Sequence, residues 1–136
     1  MRKKYHGSCH CGSVSYDATL DLSTGTSRCN CSYCTKTRNW NAQVAPEDFN
    51  LVSGEDSVSD YSKDWGTGNL HHIFCKKCGT NIYGYGHIPE MGGDFVAIQV
   101  NTLDNASNDE LMSGTLRLCD GRNDNWMQTP SDTRTL

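Results

Sequence analysis

The chain is short of the apolar side chains from which a core is built. Hydrophobic residues make up 35% of its 136 positions, with three Phe and three Trp, while Gly occurs 13 times. A second core does not fit in a chain of this length. The one core has little apolar surface to set against conformational entropy, so metal or disulfides are expected to help hold the fold. No run of about 18 apolar residues exists, which excludes a membrane-spanning helix. A secretory leader is not evident either. Met1-Arg2-Lys3-Lys4 is basic, but Tyr5-His6-Gly7-Ser8 stands where an apolar segment would follow, and the expectation is a cytoplasmic protein. Basic surface is scarce as well. The formal net charge is −4, and Arg2-Lys3-Lys4 is the one basic cluster, too short for a nucleic-acid footprint. Walker loops, G-x-G-x-x-G and H-E-x-x-H are absent. Gly66-Thr67-Gly68 lacks a strand-to-helix context and reads as a turn. The Ser, His and Asp residues form no hydrolase signature.

What the chain does have is eight cysteines. An even count would suit a secreted disulfide framework, but spacing argues against it. Cys9 and Cys11 are too close to bridge without strain, as are Cys29 and Cys31. Thiols clustered this way in a reducing compartment bind metal.

Hydrophobic periodicity predicts a mainly β, small single-domain fold of short antiparallel sheets with little helix, and the clustered cysteines add zinc as its stabiliser. Val14, Tyr16, Ala18 and Leu20 alternate with polar residues, as in a half-buried strand. Further strands are predicted at 42–44, 49–52, 70–74, 82–85 and 95–100, punctuated by Gly, Asn, Asp and Ser. A short helix is expected from Asn108 to Met112, and a turn of helix after Cys31. Residues 1–128 read as the domain, and the polar stretch 129–136 as a loose tail.

Seven cysteines fall into two sets. Cys9-His10-Cys11-Gly12 and Cys75-Lys76-Lys77-Cys78-Gly79 each have the form of a metal knuckle. Two thiolates project from a tight turn, and a following Gly lets the backbone swing away. Together they supply a closed four-thiolate site tying distant segments of chain, a structural role. The second set, Cys29-Asn30-Cys31-Ser32-Tyr33-Cys34, offers three thiolates within six residues. Three protein ligands and an open position is how catalytic zinc is held. Alternatively Cys119, in Leu116-Arg117-Leu118-Cys119, or one of His6, His10, His71, His72 and His87 closes the site. Cys119 also reads as the small buried end of a strand. Three thiolates leave zinc a modest Lewis acid toward water but a good partner for soft sulfur, which points to chemistry at a thiol. With all seven cysteines ligating two Zn²⁺, the chain would carry a charge of about −7. Tyr33, Trp40, Trp65 and Trp126 are expected to pack around the metal sites or line a pocket.

The stretches Gly7-Ser8-Cys9-His10-Cys11-Gly12-Ser13-Val14, Cys29-Asn30-Cys31-Ser32-Tyr33-Cys34 and Phe74-Cys75-Lys76-Lys77-Cys78-Gly79-Thr80, in that order, resemble the glutathione-dependent formaldehyde-activating enzyme family, which includes centromere protein V. The resemblance runs from about Tyr5 to Asp104. It implies a mostly β fold with two zinc ions per chain. Cys9, Cys11, Cys75 and Cys78 match the structural ligands, and Cys29, Cys31 and Cys34 the catalytic ones. The implied reaction is condensation of glutathione with formaldehyde to S-hydroxymethylglutathione, a carbon–sulfur lyase reaction in reverse. The partner is then a small-molecule thiol, glutathione, with no nucleic acid and no membrane. Two other functions compete: a non-catalytic zinc scaffold for a protein partner, and a zinc store or redox sensor built on exposed thiolates. A chromatin-associated member would be expected to carry basic extensions, which this acidic chain does not show.

Overall fold

A computed structural model describes residues 1–64 and 69–136; Trp65 and the Gly66-Thr67-Gly68 turn lie outside the described residues. Strands β1 (Lys3–Ser8), β2 (Ser15–Leu20) and β5 (Phe49–Ser53) form a three-stranded antiparallel sheet in the order β1-β2-β5. The remaining strands are β3 (Thr26–Cys29), β4 (Trp40–Val44), β6 (Val58–Asp64), β7 (Asn69–Cys75), β8 (Asn81–Ile88), β9 (Gly93–Gln99) and β10 (Leu116–Cys119). They build a seven-stranded sheet in the order β10-β3-β4-β9-β8-β7-β6. Two short α-helices, α1 (Ser32–Thr37) and α2 (Asn108–Leu111), and several single turns of 3₁₀ helix complete the described residues. The mainly β expectation holds, as does the scarcity of helix. No helix among the described residues is long and apolar enough to cross a membrane.

The strand alternation seen in the sequence is the burial pattern of the fold. In β2, Tyr16, Ala18 and Leu20 point inward while Ser15, Asp17 and Thr19 are half-exposed. The inner faces of the two sheets meet on Tyr16, Ile82, Ile98, Val14 and Val100, all fully buried. Burying an aliphatic side chain of this size stabilises the fold by about 1.5–3 kcal/mol each. Phe49 joins the layers, with its ring 5.4 Å from that of Tyr16 and 4.5 Å from that of Tyr83. The Tyr16 hydroxyl is satisfied in the core. Thr102 Oγ1 donates to the Gln99 carbonyl at 2.7 Å, so Tyr16 Oη must donate to Thr102 Oγ1, also at 2.7 Å. Gly7 faces Tyr16 across the β1–β2 pair, and a Cβ there would stand 2.3 Å from the tyrosine ring. The missing side chain is what lets the ring lie across β1.

One pairing departs from the antiparallel expectation. β10 runs parallel to β3, from Leu116↔Thr26 to Cys119↔Cys29. The chain returns to this edge of the sheet only after β4 to β9 are laid down, so no hairpin constrains its direction. The pairing delivers residues 119–126 to the end of β3, where the three-cysteine segment begins. At the tail, Thr135 O accepts a hydrogen bond from Arg38 Nη1 at 2.7 Å, and Thr135 and Leu136 lie beside Cys29 and Cys34.

Candidate metal centres

The first knuckle lies in the β1–β2 connection. Its turn is closed by Gly12 N–H donating to Cys9 O at 3.1 Å, and Val14 N–H points at Cys9 Sγ at 3.3 Å. The second follows β7, with Gly79 N–H donating to Cys75 O at 2.7 Å. Gly12 and Gly79 have φ of +81° and +78°, the left-handed conformation a residue with a Cβ resists. The exit predicted for each knuckle is therefore the one adopted. The fold brings the sulfurs of Cys9, Cys11, Cys75 and Cys78 within 4.8 Å of one another. Cys11 Sγ is 3.6 Å from Cys9 Sγ and 3.7 Å from Cys75 Sγ. A tetrahedron of Zn–S bonds of about 2.3 Å has edges of about 3.8 Å. The group thus has the donor set and spacing of a closed four-thiolate site and could hold a metal ion. Cys9 and Cys75 are buried while Cys11 is exposed. Burial pushes the Cys9 thiol up, whereas hydrogen bonds from Ser13 pull Cys11 down and those from Thr80 lower Cys78 to about 5.

The second group is carried by the end of β3 and the start of α1. Cys29 closes β3, Cys31 is the N-cap of α1, and Cys34 lies in its first turn. Cys31 N–H donates to Cys29 Sγ and Cys34 N–H to Cys31 Sγ, both at 3.4 Å. Arg38, in the left-handed region with φ 55°, ends the helix. The three sulfurs again lie within 4.8 Å of one another, with Cys29 buried and Cys31 and Cys34 part-exposed. Sulfurs this close share charge unevenly. Hydrogen bonds from Cys29 and Cys34 hold the Cys31 thiolate down at about 2, and the same contacts push Cys34 far up. All three can be anionic together only around a cation, as a thiolate–metal site requires.

No fourth protein ligand joins this group among the described residues. Cys119 stands in register with Cys29 on the neighbouring strand, yet its sulfur is not part of the cluster. The histidines are engaged elsewhere. His6 pairs with Asp17, His71 Nδ1 with Asp60 at 2.6 Å, and His87 Nδ1 with Asp94 at 2.7 Å. His10 lies at the first knuckle, its backbone N–H on Thr80 Oγ1 at 3.3 Å. His72 stacks on Tyr33 with ring centroids 3.8 Å apart, and Tyr61 extends the stack. Burial lowers the His72 pKa, which keeps the imidazole neutral near pH 7.

A cleft of about 480 Å³ opens between α1 and strands β6 to β8, lined by Ser32, Tyr33, Lys36, Thr37, Tyr61, Phe74 and Asn81 and by none of the cysteines. Arg28 and Arg38 flank Cys29 and Cys34. Arg28 lies over the Trp40 ring at 4.9 Å, and burial together with the Arg38 charge lowers its pKa. The neighbourhood is thus cationic in an acidic chain. Trp40 donates from Nε1 to Thr26 Oγ1 at 2.9 Å, and Trp126 lies over Gly121, close to Cys29. Both pack near this segment, as expected from the sequence, and Tyr33 lines the cleft.

The sequence pointed to the clustered cysteines but not to the residues that hold Asn30. Asp120, Arg122 and Asn123 carry no motif, and they reach the loop only through the β10–β3 pairing. Asp120 Oδ1 accepts from Asn30 Nδ2 at 2.8 Å, and Asn123 Nδ2 donates to both Asp120 oxygens at 3.1 and 3.0 Å. These bonds, Asn123 foremost, hold the Asp120 carboxyl below its usual range.

The fold is similar to the crystal structure of a Rhodobacter sphaeroides protein. The TM-score is 0.66 at 23% identity, covering 83% of this chain and 98% of the other. A likeness at that identity speaks for the fold alone. The family model described as glutathione-dependent formaldehyde-activating enzyme matches residues 4–115. That span holds both knuckles and the whole three-cysteine segment, and the chain belongs to the glutathione-dependent formaldehyde-activating enzyme family.

Proposed function

We propose that the protein is a zinc-dependent carbon–sulfur lyase-type enzyme of the cytoplasm that condenses glutathione with formaldehyde to S-hydroxymethylglutathione. The observation that carries this reading is the convergence of the Cys29, Cys31 and Cys34 sulfurs at a part-exposed site with no fourth protein ligand among the described residues, on a segment whose helix α1 borders a cleft. In this reading Cys29, Cys31 and Cys34 hold a catalytic zinc, and Cys9, Cys11, Cys75 and Cys78 a structural one. Zinc bound by three thiolates supplies a soft Lewis-acid position at which a thiol gives up its proton more readily.

The chain's own residues bind and orient. Lys36 at the cleft, with Arg28 and Arg38 beside Cys29 and Cys34, offers positive charge to a carboxylate-bearing thiol such as glutathione. Tyr33 and Tyr61, whose rings stack with that of His72, wall the cleft. The reaction is redox-neutral. The glutathione sulfur forms a bond to the formaldehyde carbon, the carbonyl π pair moves to oxygen, and that oxygen takes up a proton as the thiol loses one.

Cys31 is the ligand shared by the C-x-C and C-x-x-C halves of the segment, so Cys31→Ser should empty this site and leave the four-thiolate group intact. Exchange between S-hydroxymethylglutathione and free formaldehyde can be followed by NMR near pH 6, where thiols of pKa about 8.5 react slowly on their own. Wild type should accelerate the exchange and Cys31→Ser should not. Equal rates for wild type, variant and buffer would sink the reading and put the non-catalytic scaffold ahead.

A further inference from the structure

The residue between the first two cysteines of the three-cysteine segment is held by one distant stretch of chain. Each of the four polar groups of Asn30 has a partner in residues 119–122. Its N–H donates to Cys119 O at 3.2 Å, and its carbonyl accepts from Arg122 Nε at 3.1 Å. Its side-chain oxygen accepts from Arg122 N–H at 2.9 Å, and its side-chain nitrogen donates to Asp120 Oδ1 at 2.8 Å. Arg122 reaches further, with Nη2 on Thr35 Oγ1 at 3.4 Å in the first part of α1. The guanidinium therefore bridges the two sides of the cluster, the Cys29–Cys31 turn and the helix that carries Cys34. Asp120 is 8% exposed and braced by Asn123. Gly121 lies against Cys29 so closely that a Cβ would be 2.5 Å from its sulfur and 2.4 Å from the Trp126 ring.

We propose that residues 119–126 form a clamp that fixes the spread of the three thiolates, with Arg122 and Asn30 as its positioning residues. The inference rests on the reading that Cys29, Cys31 and Cys34 hold zinc. The clamp lies beyond the residues matched by the family model. Its logic is geometric. Three donors carried on six residues diverge or converge with the torsions of Asn30, and four hydrogen bonds remove that freedom. Groups that orient metal ligands from behind typically change metal affinity by about 10–100-fold. A planar fork that meets two acceptors at once is not replaced by an ammonium on a flexible stem.

The test is zinc release from the fully loaded full-length chain into excess chelator, read with a metallochromic dye, for wild type, Arg122→Ala, Arg122→Lys and Asn30→Ala. Far-UV circular dichroism and thermal melting of each loaded protein report the fold. Arg122→Ala and Asn30→Ala should release one zinc at least about tenfold faster, with the second leaving at the wild-type rate and the fold intact. Arg122→Lys should release it as Arg122→Ala does. Should Arg122→Ala not fold, Asn30→Ala carries the comparison, because it leaves the Arg122 contact to the residue 30 carbonyl in place. Two zincs leaving every variant at wild-type rates would overturn the clamp. So would full rescue by lysine, which would reduce Arg122 to its charge, or equal acceleration of both zincs, which would mean general destabilisation. A wild-type chain that binds one zinc would instead overturn the reading of the three-cysteine segment on which the clamp depends.

Discussion

Replacing Cys75 with Ser should cost the protein most of its stability, and the size of the effect follows from where the residue sits. Cys75 ends β7, is fully buried, and pairs with Val58 in the sheet. Its sulfur is 3.7 Å from that of Cys11, a residue 64 positions earlier. Closing a loop of that length costs about 3.7 kcal/mol of chain entropy, (3/2)RT ln n, and a metal shared by the two knuckles offsets that cost. A serine hydroxyl left unpaired among the sulfurs would add about 1–3 kcal/mol. Against a typical domain stability of about 5–15 kcal/mol, a loss of about 5–7 kcal/mol leaves little folded protein. Cys78 is only half-buried, so Cys78→Ser should lose the same metal with a smaller burial term. The assay is urea unfolding at fixed free zinc, followed by circular dichroism, with zinc content measured on the same samples. Both variants should lose one zinc, and Cys75→Ser should have the lower midpoint or fail to fold. A soluble Cys75→Ser protein with an unchanged midpoint would refute the claim that the four-thiolate group holds the fold together.

Two further outcomes follow from the same geometry. Graded chelation should remove one zinc early with circular dichroism unchanged and the second only with unfolding, since four thiolates in a closed site outcompete three in an open one; simultaneous loss would count against two distinct sites. Stability should also fall in alkali, because burial and the Glu110 carboxylate push the Tyr5 phenol up to about 12. Its pKa is raised on folding, so its contribution is complete below about pH 10 and is lost as pH rises through about 12. Tyr5→Phe should flatten the fall in urea midpoint between those values, and an identical slope in the variant would exclude Tyr5 as a cause.

Much of the fold was legible because strands facing a core write their period into the sequence. β4, β5, β7 and β8 each cover a predicted run of apolar residues, β2 and β9 cover all but one residue of theirs, and α2 starts where the Ser107 capping box places it. The strands that were not predicted lack that signal. β1 begins Lys3-Lys4 and buries only Tyr5 and Gly7, β3 has four residues of which Ser27 and Arg28 are polar, and β6 is a polar edge strand. Their extended conformation is supplied by partners in the sheet more than by their own side chains. The cysteine groups were legible for a different reason: knuckle spacing fixes local geometry before any tertiary contact forms. The Asn30–Asp120 bond spans 90 positions and the Tyr33–His72 stack joins α1 to β7. Neither leaves a local mark, because each depends on which strands end up adjacent.

The two sulfur clusters use the same chemistry, and their difference lies in how the chain delivers the donors. The first draws two pairs from turns far apart in sequence and packs Cys9 and Cys75 into the core. An ion there cross-links the sheets, and the fold and the site stabilise each other. The second draws all three donors from residues 29–34, so an ion bound there closes almost no loop and adds little to the fold. A local site of that kind must borrow its order from elsewhere. The structure provides it through the parallel β10–β3 pair, which sets Asp120 and Arg122 against Asn30 while Cys31 and Cys34 stay part-exposed. Rigidity supplied from behind and access kept in front are what an open ligand position requires. The same division explains why the cluster proposed to hold the fold can be closed and the one proposed to meet a substrate need not be.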